Sequence, residues 1–175
     1  MLDKIQHIDE RIILWIGTIQ SKRRNKIMKF FSKLGDKGIV WFAICAPLLI
    51  YLPTRLIGCN ILVGLVLTHL CGEILIKHLV CRIRPCHMLE DEHQVIKKPK
   101  YYSFPSGHTA SSFSVFAVTF FTFTIISIPI FILAFFIAFS RLYLRVHYLT
   151  DIIAGVILGT LCGVLAVELF KTILY

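Results

Sequence analysis

The residues of this chain best suited to chemistry lie in three short clusters: KHLVCRIRP (77–85), FPSGHTASS (104–112) and SRLYLRVHYLTD (140–151). Between them they carry Lys77, Arg84 and Arg141, the imidazoles of His108 and His147, and the carboxylate of Asp151. Three permanent cations beside one carboxylate repel one another unless an anion joins them, and a guanidinium fork matches phosphate oxygens. The chemistry is therefore that of a phosphate pocket. Lys77 and Arg84 are seven apart, two helical turns, so both can face one pocket, with Pro85 holding Arg84 near the helix end. The Pro105-Ser106-Gly107 run brings free N–H groups to a positive helix start, an anion cradle. There Ser106 offers a hydroxyl, Gly107 allows close main-chain approach, and His108 stands ready to exchange a proton. His147 and Asp151 are four apart, so the carboxylate can accept from one ring nitrogen, fix the tautomer and leave the other nitrogen free to attack. Arg141 would hold phosphate oxygens, and Arg145 would contact lipid headgroups.

Each cluster alone has an ordinary reading: cations snorkelling at a span end, a Pro-Ser-Gly turn with an N-cap, a satisfied His–Asp pair. Their convergence decides the matter, and convergence depends on the elements that carry them. Of the 175 residues 57% are apolar and 17% charged, and the mean hydropathy is +0.76. Soluble domains run at about 45–50% and about 25%, so this is a membrane protein. The fold class expected is all-α, a polytopic bundle of about five transmembrane helices with an interfacial helix at the N-terminus. A span needs roughly 20 apolar residues, and such runs occupy about 36–53, 57–81, 106–126, 128–144 and 149–172, with Pro53 and Pro129 at span ends. With alternating direction, all six reactive residues fall at one membrane face.

Residues 1–35 divide from a transmembrane domain at 36–175. Within the first part Ile5, Ile8, Ile12, Trp15, Ile16 and Ile19 form an apolar stripe at helical spacing, with Asp9, Glu10 and Arg11 elsewhere on the wheel. That pattern fits an interfacial helix or a packing helix outside the bilayer. SKRRNK (21–26) reads as a solvated turn beside headgroups. One long polar loop, Arg82 to Phe104, carries acids at 90–92 and then Lys97, Lys98 and Lys100; loops of this length are generally functional or disordered. The six cysteines are scattered through apolar runs as buried thiols, a Cys81–Cys86 disulfide being conceivable only on an oxidising face. No signal-peptide core precedes the spans. The formal charge of +9 calls for anionic partners, and with little water-facing surface these are headgroups or phosphate, not nucleic acid.

In this order the three clusters resemble the signature of the type 2 phosphatidic acid phosphatase superfamily. Its first part is Lys, six residues, Arg-Pro, here Lys77, Arg84 and Pro85; its second is Pro-Ser-Gly-His, here Pro105 to His108. The third is Ser-Arg, five residues, His, three residues, Asp, here Ser140, Arg141, His147 and Asp151. All eleven specified residues are present. The resemblance covers about 36–172 and implies a membrane lipid phosphatase in which His147 is the nucleophile, forming a phosphohistidine. Asp151 would orient it, and His108 would protonate the leaving oxygen. It further implies that Lys77, Arg84, Ser106, Gly107, Ser140 and Arg141 bind phosphate, and that neither metal nor cofactor is needed, since the cations already supply the charge stabilisation. Six-span members have one more N-terminal span, where this chain has its interfacial helix. Bacterial members carry the site on the extracytoplasmic face of the inner membrane, which would put residues 82–104 outside. Charge counting points the other way, because the motif side is the more basic one.

The expected substrate is a lipid monophosphate or diphosphate whose tail stays in the bilayer: a phosphatidate or phosphatidylglycerophosphate type, or a polyprenyl diphosphate such as undecaprenyl diphosphate. Soluble phosphate esters fit if the pocket opens to water. A different class, an anion-binding transporter without hydrolase activity, needs polar residues deep in several spans. Few exist: His69, Glu73 and Lys77 make one stripe, read as pairing beneath the site. A metal site at His108, His147 and Asp151 is disfavoured because three nearby cations oppose it.

Overall fold

The computed structural model describes residues 2–89, 94–100 and 102–174. The acidic cluster at 90–92 lies outside the described residues. Among these, every regular element is helical. α1 (Leu2–Thr18) and α2 (Lys22–Leu34) precede α3 (Ile39–Ile50); α4 (Arg55–Thr68) runs through a π-helical stretch, His69–Ile76, into α5 (Lys77–Val80). Helices α6 (Gly107–Thr122), α7 (Thr124–Tyr143) and α8 (Leu149–Leu174) complete the bundle.

A helix stands at each of the five apolar runs, but among the described residues only Leu52–Val80, Thr124–Tyr143 and Leu149–Thr172 are long and apolar enough to cross a membrane unaided. α3 has 12 residues and α6 has 16. At 1.5 Å per residue these reach about 18 and 24 Å, short of the ~30 Å hydrocarbon core. The residues ahead of α3 explain part of the difference. SKRRNK is not a turn: Ser21 N-caps α2, its Oγ accepting the Arg24 N–H at 3.4 Å, and the long unbranched cations that follow are good helix formers. α2 then runs antiparallel along the last two turns of α7. The Tyr143 hydroxyl donates to Asn25 Oδ1 at 3.0 Å, and Phe31 stacks on Phe136 at 4.8 Å.

The buried face of α1 also differs from the expected stripe. Asp9, Ile13 and Ile16, spaced i, i+4, i+7, turn inward, while Ile8 and Trp15 are exposed. Asp9 is inside because Arg82 and the Thr150 N–H meet it there. Arg145 does not reach headgroups: it is buried, and its Nη2 donates to Gln20 Oε1 at 3.3 Å. α7 begins at Thr124, only Phe123 separating it from α6, so Pro129 falls within the second turn instead of at the end. Cys81 and Cys86 are free thiols, Cys81 exposed and Cys86 buried.

The centre of the bundle is the α6–α8 contact, which holds two of the three clusters together. Gly155, Gly159 and Gly163 make a stripe on α8, and a Cβ on Gly159 would lie 2.2 Å from the Ala110 carbonyl oxygen. The helices therefore touch backbone to backbone, a packing that small residues permit in membranes, where lipid competes for apolar contact. At the top of this seam the Ser106 N–H donates to the Asp151 carbonyl at 3.0 Å, locking the start of α6 to the start of α8.

Candidate active site

The three clusters meet at one end of the bundle around a cavity of about 1130 Å³. Lys77, Arg84, Gly107, His108, Arg141 and His147 all line it. Each arrives by a different local device. Lys77 opens α5, the last turn of the rod, and its ammonium donates to Glu73 Oε1 at 2.5 Å; the anticipated pairing beneath the site is thus Glu73 with Lys77, and His69 lines the cavity apart from it. The turn between them is π-helical, a form often found at functional sites.

Arg84 does not lie two helical turns from Lys77. The rod ends at Val80, Cys81 adopts left-handed backbone with φ 50°, and Arg84 is extended with φ −73° and ψ 146°. The ring of Pro85 excludes the helical region for the residue before it. The extended segment carries the guanidinium across to the 144–148 loop, where Nη1 donates to the Val146 carbonyl and contacts His147 Nε2, both at 2.9 Å. Since a guanidinium only donates, Nε2 is an acceptor with its lone pair toward the cavity, and the ring proton resides on Nδ1. Nδ1 faces Asp151 Oδ2 at 3.5 Å. The same oxygen accepts the Tyr148 N–H at 2.9 Å, which fixes the carboxylate in the first turn of α8, behind the imidazole carried by the preceding loop. Burial, reinforced by Arg84 and Arg141, pushes the His147 imidazole well below the usual histidine range, so the ring stands neutral.

Arg141 is 5% exposed and donates through Nη1 to Ser32 Oγ at 2.5 Å. Its Nε is buried without a partner among the described residues, an arrangement that an anion in the cavity would complete. His108 Nε2 contacts Asp36 Oδ1 at 3.0 Å, and the bond holds that carboxyl below the usual carboxylate range. The cavity's apolar wall includes Phe42, Val66 and Leu70, which are exposed on the outer face of the bundle. The pocket thus joins a cationic end to a greasy side.

Three residues stand differently from their expected roles. Ser106 Oγ caps α6 and accepts from the Thr109 hydroxyl at 2.9 Å, and Ser140 Oγ donates to the Ile137 carbonyl at 2.6 Å; both are fully buried and bound within their own helices. Gly107 packs against a neighbouring carboxylate: a Cβ there would come within 2.2 Å of Glu73 Oε1, so a larger residue would displace that side chain. Sequence reasoning also missed Ser32 and Asp36, which reach the site from the N-terminal third, and Arg82, which donates to Asp151 Oδ1 at 2.7 Å. Only Arg82 carried a signal, as a second arginine two residues from Arg84 in a motif already under scrutiny.

A curated relative, undecaprenyl-diphosphatase of Sulfolobus acidocaldarius, is 36% identical over 84 residues, 48% of this chain and 40% of the relative's length. The chain therefore matches less than half the length of that relative. Among solved structures, the transmembrane PAP2-type phosphatidylglycerolphosphate phosphatase of Bacillus subtilis superposes with a TM-score of 0.80 at 25% identity, covering 97% of this chain and 88% of that one. LpxE of Aquifex aeolicus gives 0.76 at 25% identity, covering 90% and 93%. Residues 57–174 match the sequence model of the PAP2 superfamily, a span that holds all three clusters. An all-helical membrane bundle agrees with that match, and the chain belongs to the PAP2 superfamily.

Proposed function

We propose that this protein is an integral membrane lipid phosphatase that removes phosphate from a lipid mono- or diphosphate through a phosphohistidine. The observation that carries the reading is the setting of His147: a buried neutral imidazole with Asp151 behind Nδ1 and Arg84 before Nε2, on the wall of a cavity shared with Arg141 and His108. An arriving phosphate replaces Nε2 as the acceptor for Arg84 and satisfies Arg141 Nε, which frees the attacking lone pair. Nε2 bonds to phosphorus as the bond to the lipid-side oxygen breaks, and that oxygen takes a proton from His108, whose charged form the bound phosphate anion and Asp36 together stabilise. The phosphorylated ring is cationic, and Asp151 stabilises it across Nδ1–H. His108, now neutral, takes a proton from water; the hydroxide attacks phosphorus, the N–P bond breaks, and inorganic phosphate leaves with His147 neutral again. Lys77, Arg84 and Arg141 hold the equatorial oxygens. Gly107 supports the same oxygens from the helix start, and Ser106 and Ser140 act by holding the backbone that presents His108 and Arg141.

The lipid tail occupies the apolar wall at Phe42, Val66 and Leu70. A substrate panel of undecaprenyl diphosphate, phosphatidylglycerophosphate and phosphatidate, run in detergent with excess chelator, tests both class and mechanism. Phosphate release from at least one is expected; release that strictly requires added divalent metal defeats the metal-free scheme. The relative from Sulfolobus acidocaldarius favours the polyprenyl diphosphate and the structure from Bacillus subtilis the glycerolipid. We place the site on the extracytoplasmic face of the inner membrane, supported by the family resemblance. Cys81, exposed on the motif side, provides the check: a membrane-impermeant maleimide should label it in intact cells, and labelling only after lysis reverses the orientation.

A further inference from the structure

Arg82 lies outside the eleven signature residues, yet its guanidinium is engaged on both terminal nitrogens. Nη1 donates to Asp151 Oδ1 and to Thr150 Oγ1, and Nη2 to Asp9 Oδ2 and to Gln6 Oε1, all four at 2.7 Å. Each terminal nitrogen of a guanidinium carries two hydrogens, so every one of them has an acceptor. The guanidinium also stacks over the Tyr148 ring, 4.0 Å from its centroid. The Thr150 hydroxyl that accepts from Arg82 donates in turn to Asp9 Oδ2, and the Thr150 N–H donates to Asp9 Oδ1 at 3.1 Å. Asp9 is 1% exposed and Asp151 is fully buried. A cation thus joins two buried carboxylates, one of them in α1, outside the stretch that matches the family.

The division of labour on Asp151 shows what this network does. Oδ2 faces His147 Nδ1 and takes the Tyr148 N–H, while Oδ1 is held by Arg82. Arg82 therefore sets the rotation of the carboxylate about its side chain, and Asp9 sets Arg82. We propose that the N-terminal helix is a working part of the active site: Asp9, acting through Arg82, is a positioning residue that aims Asp151 at the His147 imidazole. This rests on the reading of His147 as nucleophile and Asp151 as its orienting partner. A helix that only anchored the chain at the membrane would need no buried ion pair on the catalytic carboxylate.

The experiment compares Asp9→Asn, Asp9→Glu, Asp151→Asn and the double variant Asp9→Asn/Asp151→Asn, reading phosphate release from undecaprenyl diphosphate and from phosphatidate in detergent micelles. Misaimed catalytic groups lose rate without losing affinity, so Asp9→Asn should lower kcat roughly tenfold or more with KM unchanged within about twofold. Asp9→Glu, which keeps the charge, should return to within about threefold of the parent, and Asp9→Asn should add nothing in the Asp151→Asn background. A parental kcat in Asp9→Asn, or a loss that simply multiplies with that of Asp151→Asn, overturns the proposal. Should Asp9→Asn not purify as a folded protein, Thr150→Val, which removes the linking hydroxyl at equal volume, carries the same expectations and the same refutation. The two readings fail separately: a parental kcat in Asp151→Asn sinks the dyad itself, whereas an impaired Asp151→Asn beside a normal Asp9→Asn sinks only the role of α1.

Discussion

The two imidazoles of the site live in different surroundings. His147 has a side chain 2% exposed, closed in by Asp151, four residues on, by Arg84, 63 residues away in the first cluster, and by the 144–148 loop. His108 has a side chain 21% exposed, and its carboxylate partner is Asp36, 53% exposed and 72 residues away. A nucleophile must be desolvated, neutral and rigidly aimed, whereas an acid that later activates water must meet water. Rigidity here comes from buried partners and access from exposed ones, and the two settings suit the two roles proposed above.

The assignment can be broken from either side. Replacing His147 by Ala should have the largest effect, lowering kcat by roughly a thousandfold or more as expected for loss of a nucleophile. It should also abolish the acid-labile phosphoryl label left by radioactive substrate, and near-parental turnover removes the residue from its role. His108→Gln should cost roughly a hundredfold or more in line with general acid–base contributions while still accumulating label. Loss of the label instead would exchange the two roles. Asp36→Asn should be milder, lowering kcat a few-fold, roughly the 1 kcal/mol expected of a half-exposed partner. An effect as large as that of His108→Gln would mean that Asp36 touches the reacting atoms.

The smallest expected effect concerns stability. The folded chain keeps His147 neutral, while an unfolded histidine takes up a proton below about pH 6.5. Below that value the unfolded state binds more protons, so stability falls as pH falls. The melting temperature in detergent should therefore drop between pH 7.5 and 5.5, and the drop should be smaller in His147→Gln. Equal drops would show that His147 is not held neutral by the fold.

Much of the site was legible in the chain because its chemistry is local. His147 and Asp151 are four residues apart across the start of α8, Pro105 to His108 form a helix start, and Pro85 marks a break; such features depend only on short-range geometry. What spacing cannot read is the route of a backbone once a helix ends. Lys77 and Arg84 look like helical neighbours, yet Arg84 reaches His147 from extended chain beyond a left-handed Cys81. The buried face of the N-terminal helix escapes sequence reading for a related reason: Asp9 is polar by type, and only Arg82 and Thr150, 73 and 141 residues away, make its burial favourable.

The sequence alone determined the membrane class, since 57% apolar residues in spans of this length have no soluble alternative, and it determined the reactive groups, since their types and spacing follow from covalent connectivity. Tertiary structure decided which of those groups face the cavity and which are spent inside the fold: Ser106 and Ser140 turned to their own helices, while Asp9, Ser32 and Asp36 were drawn in from the N-terminal third. The physical reason is that a hydrogen bond over three or four residues is set by helical pitch. A bond over seventy or more exists only after helices have packed, and the close seam of α6 on α8, made possible by Gly159, brings their ends together.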